Sequence, residues 1–180
     1  MKRLLLYIAL PVLLFTACTR NTNESSGKPF SDSRQTVKSF SDLKTLDTFK
    51  VALKGKDASD MVISLRIITA TGKEIFKLDI KAAELISNYK ESVAFKDEAQ
   101  KVQFLKEELN LFFDEENFLE PAVTADEEPD QQAPDKAFYA ELKQTGLNGF
   151  TYRLGKETKV YIAWSVKEQR TKIYYQCCQP

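Results

Sequence analysis

The spacing of apolar residues changes twice along this 180-residue chain, and no other feature constrains the fold as strongly. Apolar residues recur at every second position over residues 49–80, at every third or fourth position over 85–113, and again at every second position over 150–177. A period of two is typical of strands, and a period of 3.6 is typical of helices. The sequence therefore predicts an α+β domain with strands at both ends and helices between them.

Each strand-rich region predicts a three-strand meander. The predicted strands cover residues 49–54, 61–68, 75–80, 150–154, 160–166 and 173–177. We expect the two meanders to join in one antiparallel sheet, with two to three helices between them in sequence. The predicted helices cover residues 85–93, 97–113 and 135–145, and Gly146 ends the last of them. Their apolar and aromatic stripes are interpreted as core packing against the sheet.

The first 18 residues form a short apolar leader that ends in a cysteine. Two basic residues precede an apolar core over residues 4–15, and small side chains follow at Thr16 and Ala17. This order is typical of an export signal, and the core is shorter than the roughly 20 residues that span a bilayer. The sequence therefore predicts a signal peptide over residues 1–17.

The residues Phe15-Thr16-Ala17-Cys18 resemble the lipobox of bacterial prolipoproteins, in which an aliphatic residue and two small residues precede the cysteine. The resemblance implies that Cys18 becomes the first residue of the mature protein and carries a diacylglyceryl group on sulfur and a fatty acid such as palmitate on its amine. Several acyl chains anchor a protein stably in a membrane. The resemblance also implies a place in the cell envelope, and Thr19 after the cysteine implies the outer membrane, facing the periplasm.

The mature chain is close to neutral. Without residues 1–17 it has 24 Lys and Arg against 26 Asp and Glu, a balance that favours neither nucleic acid nor an anionic lipid surface as a partner. Residues 18–40 begin with a polar stretch containing Gly27 and Pro29, and we interpret them as a lipidated cysteine and a flexible tether. Residues 41–180 are expected to form a single domain.

Acidic residues are concentrated between Glu107 and Asp135, where eleven occur without any Lys or Arg. Clustered charge, with two prolines between Asp126 and Pro134, predicts a mobile acidic loop at about residues 114–134. Three interpretations remain open: a solvated loop, a calcium site, and a contact site for a basic partner. The candidate contact residues are Asp126, Glu127, Glu128 and Asp130.

Residues that usually support catalysis are missing from the sequence. The chain has no histidine and no glycine-rich phosphate loop. Glu74, Asp79 or Glu84 could form a carboxylate pair of the kind that hydrolases use, but ordinary exposed positions explain them equally well. We therefore expect no catalytic residue, no cofactor and no metal. Cys177 and Cys178 are expected to be free thiols, because neighbouring cysteines are closer than disulfides prefer; a redox or metal-binding pair is the alternative.

Two classes of function remain. The first is a non-catalytic binding or scaffold module whose partner is another envelope protein, recruited through an exposed sheet face or the acidic loop. Tyr152, Tyr161 and Tyr174 are the aromatic side chains expected to support such a contact. The alternative is a hydrolase, or an inhibitor of a hydrolase, that acts on envelope glycan.

Overall fold

A computed structural model of the chain describes residues 29–178. Within these residues it contains two four-stranded antiparallel sheets, each with its strands in chain order. The predicted leader, Cys18 and the first part of the predicted tether lie outside the described residues. The α+β class is confirmed, whereas the expected single sheet is wrong, because the two groups of strands form separate sheets.

The N-terminal sheet consists of β1 (Phe30–Lys38), β2 (Asp47–Gly55), β3 (Val62–Ile68) and β4 (Glu74–Lys81). It is followed by α1 (Ala82–Tyr89), α2 (Glu98–Leu111) and a 3₁₀ turn (Glu115–Asn117). The C-terminal sheet consists of β5 (Phe118–Leu119), β6 (Gly149–Arg153), β7 (Lys159–Ser165) and β8 (Arg170–Cys177), with α3 (Lys136–Thr145) between β5 and β6.

The first strand, β1, was missing from the predicted three-strand meander and lies within residues 18–40, which were interpreted as a tether. It pairs with β2 along its whole length, with Phe30 opposite Gly55 and Lys38 opposite Asp47. β1 is an edge strand, and none of its residues is fully buried. Native edge strands often carry charged side chains, so β1 need not show an alternating apolar pattern. The predicted tether was therefore too long at its C-terminal end.

The fourth strand of the C-terminal sheet, β5, is also absent from the prediction. It has two residues, with Phe118 opposite Phe150 and Leu119 opposite Gly149. Two residues are too few to display a period of two. Because α3 and most of the acidic loop lie between β5 and β6, the pairing of β5 could not be inferred from neighbouring strands.

A cluster of phenylalanine rings joins the two sheets. Phe49 of β2 is fully buried, and its ring centroid lies 5.1 Å from that of Phe150 and 5.3 Å from that of Phe118. Phe40, in the loop after β1, lies edge-on to Phe49 at 5.5 Å. Tilted and edge-on ring pairs at these distances stabilise a core beyond their buried area. The inner faces of the two sheets therefore meet at Phe49.

The two longer helices begin and end close to the predicted positions. Asp97 caps α2 by accepting a hydrogen bond from the backbone N–H of Gln100 at 2.9 Å, and Asp135 caps α3 in the same way from Phe138 at 3.0 Å. Gly146 ends α3 in the left-handed conformation, with a φ of 61°. Within residues 29–178, none of the helices has the length and apolar character needed to cross a membrane.

The two sheets are covered to different extents. One face of the N-terminal sheet packs against α2 and the C-terminal sheet, while Lys50 and Lys54 on its other face are exposed to solvent. The C-terminal sheet is covered on its second face by α3, where the Ser165 hydroxyl donates a hydrogen bond to Glu141. The acidic loop covers part of the same face, since the Tyr174 hydroxyl donates to the Ala122 carbonyl at 3.0 Å.

Candidate functional site

The acidic loop (residues 114–134) packs against the C-terminal sheet instead of extending freely into solvent. Ala122, Val123 and Ala133 are buried. The backbone N–H of Ala122 donates to the Leu147 carbonyl at 2.8 Å, and the N–H of Gln176 in β8 donates to the Gln132 carbonyl at 3.1 Å. Buried alanines and the hydrogen bonds at Ala122 and Gln132 attach this loop to the rest of the domain, and its mobility stays a prediction.

Basic residues distant in sequence neutralise several acidic residues of this region. The ion pairs join Glu115 to Lys38, Glu116 to Arg153, Glu128 to Lys143, and Asp135 to Lys172. Glu127 and Asp130 instead accept hydrogen bonds from the backbone N–H groups of Thr124 and Gln132, at 2.6 and 2.7 Å. Among residues 29–178, no Lys or Arg forms an ion pair with either of these two carboxylates.

A bulge in the C-terminal sheet brings consecutive tyrosines to the same site. Tyr161 of β7 lies opposite Tyr175 of β8, but the next pair is Ile162 with Ile173, so Tyr174 is an extra residue in β8. A bulge of this kind changes the direction of a side chain that would otherwise point to the opposite face. Tyr174 and Tyr175 therefore both border the same groove, with ring centroids 6.0 and 5.4 Å from that of Tyr161.

These tyrosines and the acidic loop enclose an open groove of about 400 Å³, which we call the tyrosine groove. Its lining residues are Leu119, Ala122, Glu127, Glu128, Asp130, Tyr139, Tyr161, Tyr174 and Tyr175. Tyr139 and Tyr174 are buried and form its base, whereas Tyr161 and Tyr175 are half-buried and present accessible rings. The volume lies within the range of ordinary ligand pockets.

The groove has a negative electrostatic environment. Burial raises the pKa of Tyr139, and the charges of Glu127 and Asp130 raise it further. Burial is also the main cause of the raised pKa of Tyr175, whose hydroxyl donates a hydrogen bond to Asp130 at 3.1 Å. These phenols are neutral at pH 7, so the groove combines aromatic surface, hydroxyl groups and ionised carboxylates. This combination is suited to binding cationic or hydrogen-bond-donating groups.

Three of the four candidate contact residues line this groove: Glu127, Glu128 and Asp130. Asp126 is exposed beside it, and a hydrogen bond with the Thr124 hydroxyl lowers the pKa of its carboxyl.

Two of the expected aromatic contacts are corrected, because Tyr152 and Tyr174 expose only 5% and 3% of their surface. Sequence reasoning missed Tyr139 and Tyr175. The adjacency of Tyr174 and Tyr175 was the only available signal, and strand alternation assigns such neighbours to opposite faces.

The candidate carboxylate pair of a hydrolase occupies ordinary surface positions. Arg66 forms ion pairs with Glu74 at 3.5 Å and with Asp79 at 2.8 Å, and Glu84 pairs instead with Lys81. All three acidic side chains therefore take part in ion pairs at the surface. Within the part of the chain that the structure describes, no group of three or more His, Cys, Asp or Glu side chains is arranged to hold a metal ion.

The two C-terminal cysteines are joined in the structure by a disulfide between Cys177 and Cys178. The expectation of free thiols is corrected accordingly. It was based on the short separation of neighbouring Cα atoms, which is 3.7 Å here. Cys178 adopts a left-handed backbone conformation, with a φ of 63°, which regular β geometry does not include and which accompanies the closed bond.

Comparisons with protein-family models, with curated proteins and with solved structures found no match to this chain.

Proposed function

We propose that this chain is a lipid-anchored protein of the bacterial cell envelope that holds or recruits another envelope component without catalysing a reaction. The leader and its lipobox-like end at Cys18 support the location. The tyrosine groove supports the binding role, and it is the single observation on which that role depends. Tyrosine is enriched at protein interfaces because one side chain provides both apolar area and a hydrogen-bonding hydroxyl.

The proposed contact uses the accessible rings of Tyr161 and Tyr175 and the carboxylates of Glu127 and Asp130. These groups come from β7, β8 and the acidic loop, elements that are joined to one another by hydrogen bonds. The groove is therefore formed before a partner arrives, which lowers the entropy loss on binding. The mature chain as a whole is close to neutral, so recognition is local to this site.

The lipid anchor is tested by metabolic labelling of cells with palmitate. We expect the wild-type protein to be labelled and to sediment with membranes, because two or more acyl chains bind membranes stably. The Cys18→Ala variant should lose both properties. Equal labelling of the variant, or an unprocessed protein free in the cytosol, would refute the proposed location.

The binding role is tested by placing a photo-crosslinking amino acid at Tyr175 in the native envelope. Position Lys90, an exposed residue after α1 and outside the groove, is the matched control. We expect illumination to give a specific adduct with a second envelope component from position 175 and none from position 90. Adducts from position 90 alone, or from neither position, would refute a partner in the groove.

A further inference from the structure

The tyrosine groove contains carboxylates that form no ion pair with any Lys or Arg among residues 29–178. Glu128 pairs with Lys143 at 2.8 Å, which shows that the rim of the groove can accept an ammonium group. Glu127 and Asp130 are exposed and accept only neutral hydrogen bonds from residues 29–178. Their negative charges are therefore available to a cation that enters from solvent.

The half-buried rings of Tyr161 and Tyr175, beside these carboxylates, offer aromatic surface on which a cation can pack. Tyr161 and Tyr175 lie edge to face, with an interplanar angle of 85°, so the two rings expose surfaces at right angles to each other. A cation within about 6 Å of an aromatic face is attracted by the negative face of the ring. The alkyl part of a long cationic side chain also packs well on such a surface.

We propose that the tyrosine groove binds Lys or Arg side chains from a basic polypeptide segment of the partner. The cation would lie against the Tyr161 and Tyr175 rings, and its charge would be balanced by Glu127 and Asp130. This inference rests on the proposed function, because it names the chemistry of the same contact.

The distribution of charge favours a polypeptide over a small amine. Four acidic residues occur within five positions, at Asp126, Glu127, Glu128 and Asp130, and all are exposed. Side chains on one face of an extended peptide repeat at about 7 Å, so successive basic residues can meet successive carboxylates along this rim. A single small cation would use only part of it.

The probe for this proposal is a synthetic peptide with four lysines at alternate positions, separated by single serines, titrated calorimetrically into the full-length chain in detergent. The same peptide with acetylated lysines removes the charge, a peptide with arginines tests the other cation, and the diamine cadaverine represents a small amine. We expect both basic peptides to bind and to weaken with added salt, because exposed charges are screened. The acetylated peptide and cadaverine should bind at least about tenfold more weakly.

Two groove variants locate the binding site. Glu127→Gln combined with Asp130→Asn should weaken peptide binding by about tenfold, since each exposed charge contributes up to about 1 kcal/mol. Tyr161→Leu should weaken it by about threefold through loss of one cation–π contact. Asp114→Asn is the matched control, because it removes an exposed charge of the same acidic loop outside the groove and should leave binding unchanged. The carboxylate substitutions are at exposed positions, so we expect that variant to fold. It therefore keeps the test valid if Tyr161→Leu misfolds.

The outcomes separate this inference from the proposed function. Equal binding of the acetylated peptide, equal loss with Asp114→Asn, or cadaverine binding as tightly as the peptides would each overturn the inference. If position 175 crosslinks to a partner in cells while neither basic peptide binds, the groove is a contact site for a partner of other chemistry. If position 175 gives no adduct, the proposed function itself fails.

Discussion

The two sheets have similar strand patterns but are buried in different ways. In β2 of the N-terminal sheet, the most buried residues alternate with more accessible ones from Asp47 to Lys54. In β7 of the C-terminal sheet, the four consecutive residues 162–165 are all buried. Since successive side chains of a strand point to opposite faces, alternation indicates one covered face and continuous burial indicates two. The C-terminal sheet is therefore a middle layer.

This difference explains why the candidate site lies on the C-terminal sheet. A concave site needs walls from more than one element, and the covered face of this sheet provides them from β7, β8, α3 and the acidic loop. No element within residues 29–178 covers the outer face of the N-terminal sheet, and its exposed side chains include Lys50 and Lys54. The comparison teaches that the covered face builds its groove from several kinds of element, whereas the cavity of about 370 Å³ on the open face is lined by β1, β2 and β3 alone.

The largest expected effect on stability comes from a substitution on the covered face of the N-terminal sheet, and it tests whether only this face is buried. Phe49→Ala should lower the free energy of unfolding by about 3–5 kcal/mol, because it empties the centre of the phenylalanine cluster. Lys50→Ala, at the next position and on the open face, should change it by less than about 0.5 kcal/mol. Urea denaturation measures both. A loss for Lys50→Ala comparable with that for Phe49→Ala would contradict a solvent-facing outer surface.

The second prediction concerns the second covered face of the C-terminal sheet. Ser165 is fully buried, and its hydroxyl lies 3.1 and 3.2 Å from the two carboxylate oxygens of Glu141 in α3, to which it donates one shared hydrogen bond. Ser165→Ala should lower the free energy of unfolding by about 1–3 kcal/mol, because it leaves a buried carboxylate without this donor. Val166→Ala, at the exposed neighbouring position, is the control and should cost less.

A double-mutant cycle shows whether this loss comes from the Ser165–Glu141 contact. Adding Glu141→Gln should reduce the cost of Ser165→Ala, because two groups that share a hydrogen bond are coupled. Fully additive losses would show that α3 is not attached to β7 through this contact.

The sequence was sufficient to predict helices and strands where the residues that determine them are close together in the chain. Asp97, Asp135 and Gly146 mark helix ends through bonds within one or two turns, and α2 and α3 begin and end within two residues of the predicted ranges 97–113 and 135–145. Of the eight strands within residues 29–178, six were predicted from their period of two. β1 and β5 were missed because one is a polar edge strand and the other has two residues. The division into two sheets depends on contacts such as Phe49 with Phe150, which no local pattern encodes.

The candidate site was predictable only where its residues form a local pattern in the sequence. The acidic residues were visible as a run without basic residues, and three of the four candidates line the groove. The tyrosines were harder to assign, because the bulge at Tyr174 breaks the alternation on which the assignment of faces depends. The ion pairs of Glu115 and Glu128 with distant lysines were also hidden, since each requires the tertiary fold.

The third prediction compares the helices that cover the two sheets. Asp97→Ala in α2 should cost about 1 kcal/mol, the usual value for a lost cap. Asp135→Ala in α3 should cost more, because its carboxylate also accepts a hydrogen bond from Lys172 at 2.7 Å. The hydrogen bond with Lys172 lowers the pKa of Asp135. The stability that this bond contributes is therefore fully present above the ordinary carboxyl pKa of about 3.9, and it is lost as the pH falls through the lowered pKa.

Denaturation of the cap variants at pH 7 and at low pH measures these differences. Asp135→Asn is the control, because an asparagine can still cap the helix but has no charge for Lys172. Equal losses for Asp97→Ala and Asp135→Ala at pH 7 would mean that the Lys172 contact adds nothing to the attachment of α3.

The smallest expected effect lies between the sheets, where Glu108 of α2 adjoins Tyr152 and Arg153 of β6. Glu108 exposes 9% of its surface, and burial raises the pKa of its carboxyl, although Arg153 acts in the opposite direction. A carboxyl with a raised folded-state pKa destabilises the fold as pH rises through that pKa. Near pH 4, the free energy of unfolding of Glu108→Gln should therefore equal that of the wild type. At pH 7 it should be higher than that of the wild type by up to about 1 kcal/mol.

Urea denaturation across this pH range measures the effect, with Glu107→Gln, an exposed neighbour on α2, as the control that should show no such difference. A Glu108→Gln protein less stable than the wild type at pH 7 would mean that attraction to Arg153 outweighs the penalty of burial. In that case the two sheets would be held together by charge at this point as well as by the phenylalanine cluster, and the contrast between an open sheet and a middle layer would have an electrostatic component.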